Sequence, residues 1–137
     1  MTVFLDTSVV LRVLFRQTNR LATWGKWQKA YASRLWYTEA LRTIDRLRLN
    51  GEITDADVAQ LRTDIDLIHA TLFIVPVTEA ILVRAEGPFP AVLGTLDALH
   101  LASALEVKAG VGVDCLFTHD VQLAVAARCL GLTVGGV

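Results

Sequence analysis

Short apolar runs that read as buried strands recur along the chain, with helical stretches between them. Thr2 to Leu5 is rich in strand formers and stops at a carboxylate, Asp6; Leu72 to Val75 is a second run, closed by Pro76. Val113 to Thr118 is a third and Leu132 to Val134 a short last one. Strands alternating with helices indicate an α/β fold with a parallel sheet, because parallel neighbours need a long crossover that is usually a helix. The chain has 137 residues, one domain's worth, and shows no linker, repeat or low-complexity segment, so a single domain over 1–137 is expected.

The intervening stretches carry helix signals. Ser8 opens an apolar stretch from Val9 to Phe15, with Arg12 and Arg16 four apart and Thr7 or Ser8 as its cap. Trp24, Trp27 and Tyr31 recur at i, i+3 and i+7, which predicts one face of a helix, with Lys26 and Lys29 on other faces. Ser33 is the expected cap of a helix carrying Leu35, Ala40, Leu41, Ile44 and Leu47, ended by Asn50 and Gly51. Thr54 and Asp57 form a capping-box pattern ahead of Val58, Leu61, Ile65 and Ile68. Thr78 caps a helix to about Glu86, and Gly87 to Pro90 is a loop. Thr95 to Ala109 predicts a helix ended by Gly110, and Asp120 to Leu130 another, capped by Asp120 and ended by Gly131.

Composition narrows the class. At 53% hydrophobic and 20% charged the chain is not disordered. Mean hydropathy is +0.47, yet no uninterrupted apolar run approaches the roughly 20 residues of a membrane span. The net charge of −1 hides an asymmetry: residues 1–50 hold nine Lys/Arg against the acids Asp6, Glu39 and Asp45. The two cysteines, Cys115 and Cys129, sit in apolar surroundings and read as buried free thiols, and the absence of a CxxC pair argues against a thiolate zinc site. The N-terminus lacks the basic stretch and apolar core of a signal peptide, so a cytoplasmic location is expected.

The chemistry rests on carboxylates. Asp6 ends the first strand and Asp120 follows the third, and sites in parallel α/β sheets gather at the carboxyl ends of strands. Asp97 lies in the first turn of its helix, and Glu39 sits in a helix with mostly apolar neighbours. Each acid has a structural reading: Asp120 as an N-cap, Asp97 favoured by the helix dipole, Glu39 on the surface. Asp6 resists it best, since a carboxylate ending an apolar strand is costly if buried unpaired. Periodicity alone does not bring the four together.

Four segments carry a resemblance: Val3 to Ser8, Ser33 to Arg42, Thr95 to Ala104, and Leu116 to Asp120. In order and spacing they are similar to the PIN-domain ribonucleases, and more closely to the VapC-type toxins of bacterial toxin–antitoxin pairs. The resemblance implies a PIN-like α/β/α sandwich with a central parallel sheet, and an acidic quartet at Asp6, Glu39, Asp97 and Asp120. It implies supporting roles for Ser8 and Thr118, with Thr7 beside them. It further implies a metal-dependent endoribonuclease, a small antitoxin partner, an RNA substrate and a homodimer. Carboxylates without thiolates suit a hard ion, Mg²⁺ or Mn²⁺. The expected direct ligands are Asp6 and Asp97, with Glu39 and Asp120 acting directly or through water. Clustered like charges also predict raised carboxylate pKa values without metal.

The segment from Trp24 to Lys29 departs most from the family pattern. Three readings stand for the basic and aromatic first third. Arg12, Arg16, Arg20, Lys26, Lys29, Arg34, Arg42, Arg46 and Arg48 can track phosphates while Trp24, Trp27, Tyr31 and Trp36 stack on unpaired bases. The same residues suit an antitoxin groove. The tryptophans also suit plain core packing. His100, one turn after Asp97, and His119, before Asp120, are candidates for groups near the metal rather than ligands, because histidine suits softer ions. His69 reads only as a helix-end residue.

Rival enzymes fit less well. A haloacid-dehalogenase-type phosphatase needs a second acid two positions after Asp6, where this chain has Ser8. No GxGxxG follows the first strand, and no GxSxG elbow is present. The remaining alternative is a non-catalytic α/β module that binds RNA or protein.

Overall fold

The computed structural model describes residues 1–137. Five strands, β1 (Thr2–Leu5), β2 (Lys29–Ser33), β3 (Phe73–Val75), β4 (Cys115–Phe117) and β5 (Val134–Gly135), form one parallel sheet in the order β3-β2-β1-β4-β5. Six helices connect them: α1 (Thr7–Leu14), α2 (Leu35–Leu49), α3 (Asp55–Ala70), α4 (Glu79–Ala85), α5 (Thr95–Gly110) and α6 (Val121–Cys129).

Strand alternation sorts the core into two layers. Val3, Leu5, Ala30, Ala32, Cys115 and Phe117 face one side, where they pack with Val9, Val10 and Leu14 of α1, Trp36, Ala40 and Ile44 of α2, and Ile65 of α3. Phe4 and Leu116 face the other side, against Leu101, Ala104 and Leu105 of α5 and Leu123, Ala126 and Ala127 of α6. The result is the expected α/β/α sandwich. No helix is long and apolar enough to cross a membrane.

Several boundary signals act as read. Thr54 and Asp57 close a reciprocal capping box, Thr78 caps α4, and Asp120 caps α6 by accepting from the Leu123 N–H at 2.7 Å. Asn50 ends α2 and is followed by Gly51 at φ 72°.

Other expectations are corrected. Residues 24–31 are not a helix: Trp24 and Lys26 close turns onto Leu21 and Thr23, and Tyr31 lies inside β2. The Lys-Ala-Tyr-Ala-Ser run of β2 has few strand formers and draws its stability from its place between β1 and β3. The tryptophan spacing therefore reflects packing of a turn: Trp24 and Trp27 meet edge-on at 5.2 Å, and Trp27 lies 6.1 Å from Phe117. Asp6, rather than Thr7 or Ser8, caps α1, and Arg16 falls beyond its end with φ 53°. Ser33 ends β2, though its hydroxyl still accepts from the Leu35 N–H at 3.2 Å. The left-handed residue after α5 is Gly112 rather than Gly110, and Leu132 is a core residue ahead of β5. Cys115 is buried, but Cys129 is exposed, because the last turn of α6 turns it outward.

Candidate active site

The sheet order reverses direction between β1 and β4, and a crevice opens at such a switch point beyond the carboxyl ends of the two strands. Asp6 and Thr118 each follow their strand by one residue, and the Asp6 N–H still pairs with the Phe117 carbonyl at 3.0 Å. The topology thus sets these two side chains at adjoining strand ends.

Asp6 is only 4% exposed. Its Oδ2 accepts from the Ser8 N–H at 3.2 Å, from the Ser8 hydroxyl at 2.5 Å and from the Thr118 hydroxyl at 3.0 Å. The same hydroxyls then accept in turn: Thr118 Oγ1 from the Asp120 N–H and Ser8 Oγ from the His119 N–H, both at 3.0 Å. A buried carboxylate is tolerable when it is bonded in this way. Ser8 and Thr118 therefore orient Asp6. They also tie the loop after β4 to the start of α1. The chain past β5 closes against this loop. Gly136 has φ +95°, and a Cβ there would stand 2.6 Å from the Thr118 carbonyl oxygen. Its own carbonyl lies 2.6 Å from His119 Nδ1. Only glycine accommodates that approach, a requirement the sequence did not announce.

The other half of the site comes from α2 and α5. Glu39 Oε1 accepts from the Thr7 hydroxyl at 2.9 Å and lies 2.5 Å from Nε2 of His100, which is 1% exposed. Asp97 and His100 are three residues apart on α5 and so share a face. Burial raises the Asp97 pKa, and the charges of Asp6, Asp120 and Glu39 raise it further, with His100 opposing them. Asp97 thus lies within electrostatic reach of the other three acids. Burial presses His100 toward its neutral form, but its hydrogen bond to Glu39 and the charges of Asp6, Glu39 and Asp97 outweigh it and raise the pKa.

As the side chains stand, no three His, Cys, Asp or Glu groups close into a cage around an ion. The donor set nonetheless fits a hydrated hard cation. The hydrogen bonds to Asp6 all fall on Oδ2, those to Glu39 on Oε1, and that to Asp120 on Oδ1, so each of these three carboxylates keeps its second oxygen free of protein hydrogen bonds. Mg²⁺ retains several waters and needs only one or two carboxylates. Asp6 and Asp97 are the carboxylates that could hold such a hydrated ion.

The basic and aromatic residues do not join this cluster. Arg12 is half-buried with Nη1 3.4 Å from the Asn19 carbonyl, while Arg16 and Lys26 are exposed. Trp24 and Trp27 pack on the core cluster beside α1 and α2. Their segment ends at the amino edge of the sheet, where Gln28 and Lys29 bond the Met1 carbonyl. Trp36 is fully buried and offers no free face to a base, while Tyr31 is half-buried with one face stacked on Phe73 at 5.1 Å. His69, in the last turn of α3, packs against Trp36 and Tyr37. The apolar hollow lined by Leu82, Phe89, Leu93 and Ala98 includes none of the four acids.

This sheet order with acids gathered at its switch point is a PIN-type arrangement, and the chain belongs to the PIN-domain family: the family model "PIN domain" matches residues 3–128, which include all four acids. The resemblance to VapC-type proteins holds as well. The chain is similar to ribonuclease VapC47 of Mycobacterium tuberculosis (strain CDC 1551 / Oshkosh), 30% identical over 136 residues, covering 94% of this chain and 92% of that protein. Among solved structures the fold is similar to VapBC2 from Rickettsia felis bound to a promoter DNA fragment, with a TM-score of 0.66, 14% identity and 98% of both chains covered. A toxin–antitoxin complex from Klebsiella pneumoniae gives a TM-score of 0.64 at 16% identity, again over 98% of both chains.

Proposed function

We propose that the chain is a Mg²⁺- or Mn²⁺-dependent endoribonuclease and the toxin of a toxin–antitoxin pair. The observation that carries this reading is the gathering of Asp6, Glu39, Asp97 and Asp120 at the switch point, with Asp97 held above its ordinary pKa by burial and by the other three. Four acids gathered without a cationic partner among Lys and Arg repel one another, and that repulsion is relieved when a cation binds. A divalent ion bound there supplies charge against the scissile phosphate and lowers the pKa of a water for attack on phosphorus. Asp6 and Asp97 hold it; Glu39 and Asp120 act directly or through water. Ser8 and Thr118 keep Asp6 from rotating, and no side-chain nucleophile is required. The similarity to ribonuclease VapC47 supports RNA as the substrate. The VapBC and toxin–antitoxin complexes among the structural neighbours support a small antitoxin as partner. A homodimer and a cytoplasmic site of action complete the reading.

The test is cleavage of end-labelled structured RNA in Mn²⁺, comparing the wild type with Asp97→Asn. Cleavage abolished both by EDTA and by the substitution is the expected result. Cleavage that survives both overturns the metal assignment. A folded wild type with neither cleavage nor metal binding favours the non-catalytic binding module.

A further inference from the structure

We propose that His100 is a positioning residue which, together with Thr7, pins Oε1 of Glu39 so that this carboxylate presents a single oxygen, Oε2, to the acidic cluster. The metal-nuclease reading says what that oxygen is for; the clamp itself stands on geometry. Three helices contribute to it. Thr7 is in the first turn of α1, Glu39 in the second turn of α2, and His100 in the second turn of α5. Their atoms form a closed triangle: Thr7 Oγ1 to Glu39 Oε1 at 2.9 Å, His100 Nε2 to the same Oε1 at 2.5 Å, and Nε2 to Thr7 Oγ1 at 3.1 Å.

The proton inventory of this triangle has one solution. An ionised carboxylate only accepts, and the threonine hydroxyl has one proton, which it gives to Oε1. Nε2 must then carry a proton of its own, donated to Oε1 and shared with Thr7 Oγ1. His100 Nδ1 is buried with no hydrogen-bond partner, so Nε2 is the nitrogen that meets the two oxygens, and it carries its proton whether the ring is neutral or charged. Two donors thus fill the two acceptor directions of Oε1 and leave Oε2 as the open atom. A leucine would fill much of the same buried space without a polar atom to satisfy, so burial alone does not call for an imidazole at this position. Glu39 needs the help, since its side chain is 24% exposed and an unrestrained glutamate has rotamer freedom to lose.

The experiment uses the full chain and reads Mn²⁺ affinity by calorimetry, with thermal melting to verify folding. His100→Leu is expected to weaken Mn²⁺ binding on the order of tenfold or more, the usual effect of removing a group that orients a metal ligand. His100→Gln, whose amide N–H sits at the reach of Nε2, is expected to restore it. In a Glu39→Gln background, His100→Leu is expected to add nothing, because the histidine acts through Glu39. Unchanged affinity in His100→Leu, equal losses in the Leu and Gln variants, or an undiminished loss in the Glu39→Gln background would each overturn the clamp. Should His100→Leu not fold, Thr7→Val removes the second donor, and unchanged affinity there overturns it equally. A wild type that binds no Mn²⁺ defeats the nuclease reading instead. The clamp is then judged by histidine NMR of the metal-free protein. A slowly exchanging Nε2 proton on His100 that is lost in Glu39→Ala supports it; absence of that proton, or its survival in Glu39→Ala, overturns it.

Discussion

Replacing Asp6 separates the structural oxygen of this carboxylate from its functional one. In Asp6→Ala, α1 loses its N-cap, worth about 0.5–2 kcal/mol. The hydroxyls of Ser8 and Thr118 lose a buried acceptor at the same time, at about 1–3 kcal/mol for each group left unpaired. Those hydroxyls lie 3.5 Å apart and can re-pair with each other, so the sum settles at about 2–4 kcal/mol. In Asp6→Asn, the amide oxygen takes the place of Oδ2 and keeps all three donors. The bonds lose their charge assistance, but the repulsion between Asp6 and Asp97 disappears with it. The expected net change is within about 1 kcal/mol. Urea unfolding at pH 7 in EDTA measures both, provided the slopes agree with the wild type. Both variants are expected to lose cleavage, while only the alanine variant is expected to unfold early. An asparagine variant as unstable as the alanine one, or an alanine variant as stable as the wild type, would refute the assignment of all three bonds to one oxygen.

Three further outcomes are expected. The folded pKa of Asp97 is raised, so its ionisation costs stability: the cost is absent below the unfolded carboxylate range near about pH 4 and grows as pH rises through the folded pKa. Metal-free Asp97→Asn should therefore melt above the wild type at pH 7 and lose that advantage toward pH 4, as a pair of melting curves at each pH will show. Mn²⁺ should raise the wild-type melting temperature, by the equivalent of about 2.7 kcal/mol at a hundred times Kd, and should leave Asp97→Asn nearly unmoved. One thiol should react with a thiol reagent in the native protein, since Cys129 is exposed while Cys115 is buried with its thiol pKa pushed up by that burial. Mass spectrometry should find Cys115 modified only after unfolding.

Much of this protein is written in local pattern. β1 is an apolar run that stops at a carboxylate. α3, α4 and α6 announce themselves through Thr54, Thr78 and Asp120, because a capping side chain bonds backbone only two or three residues away. The four acids were nameable through segments whose order and spacing match the PIN family, and Asp6 and Asp120 also by their place after strands. What stayed hidden depends on neighbours far along the chain. β2 is a strand because β1 and β3 flank it, not because Lys29 to Ser33 favours extension. Trp24 and Trp27 mimic a helical period while meeting edge-on in a turn, with Trp27 against Phe117, 90 residues further along the chain. The triangle of Thr7, Glu39 and His100 joins three helices across separations of 32, 61 and 93 residues, and no periodicity encodes such a contact. Hydrophobic pattern and capping act over one or two turns and can be read along the chain. The pairing of a buried carboxylate with its donors is decided only when the sheet brings the ends of β1 and β4 together and the helices close over them.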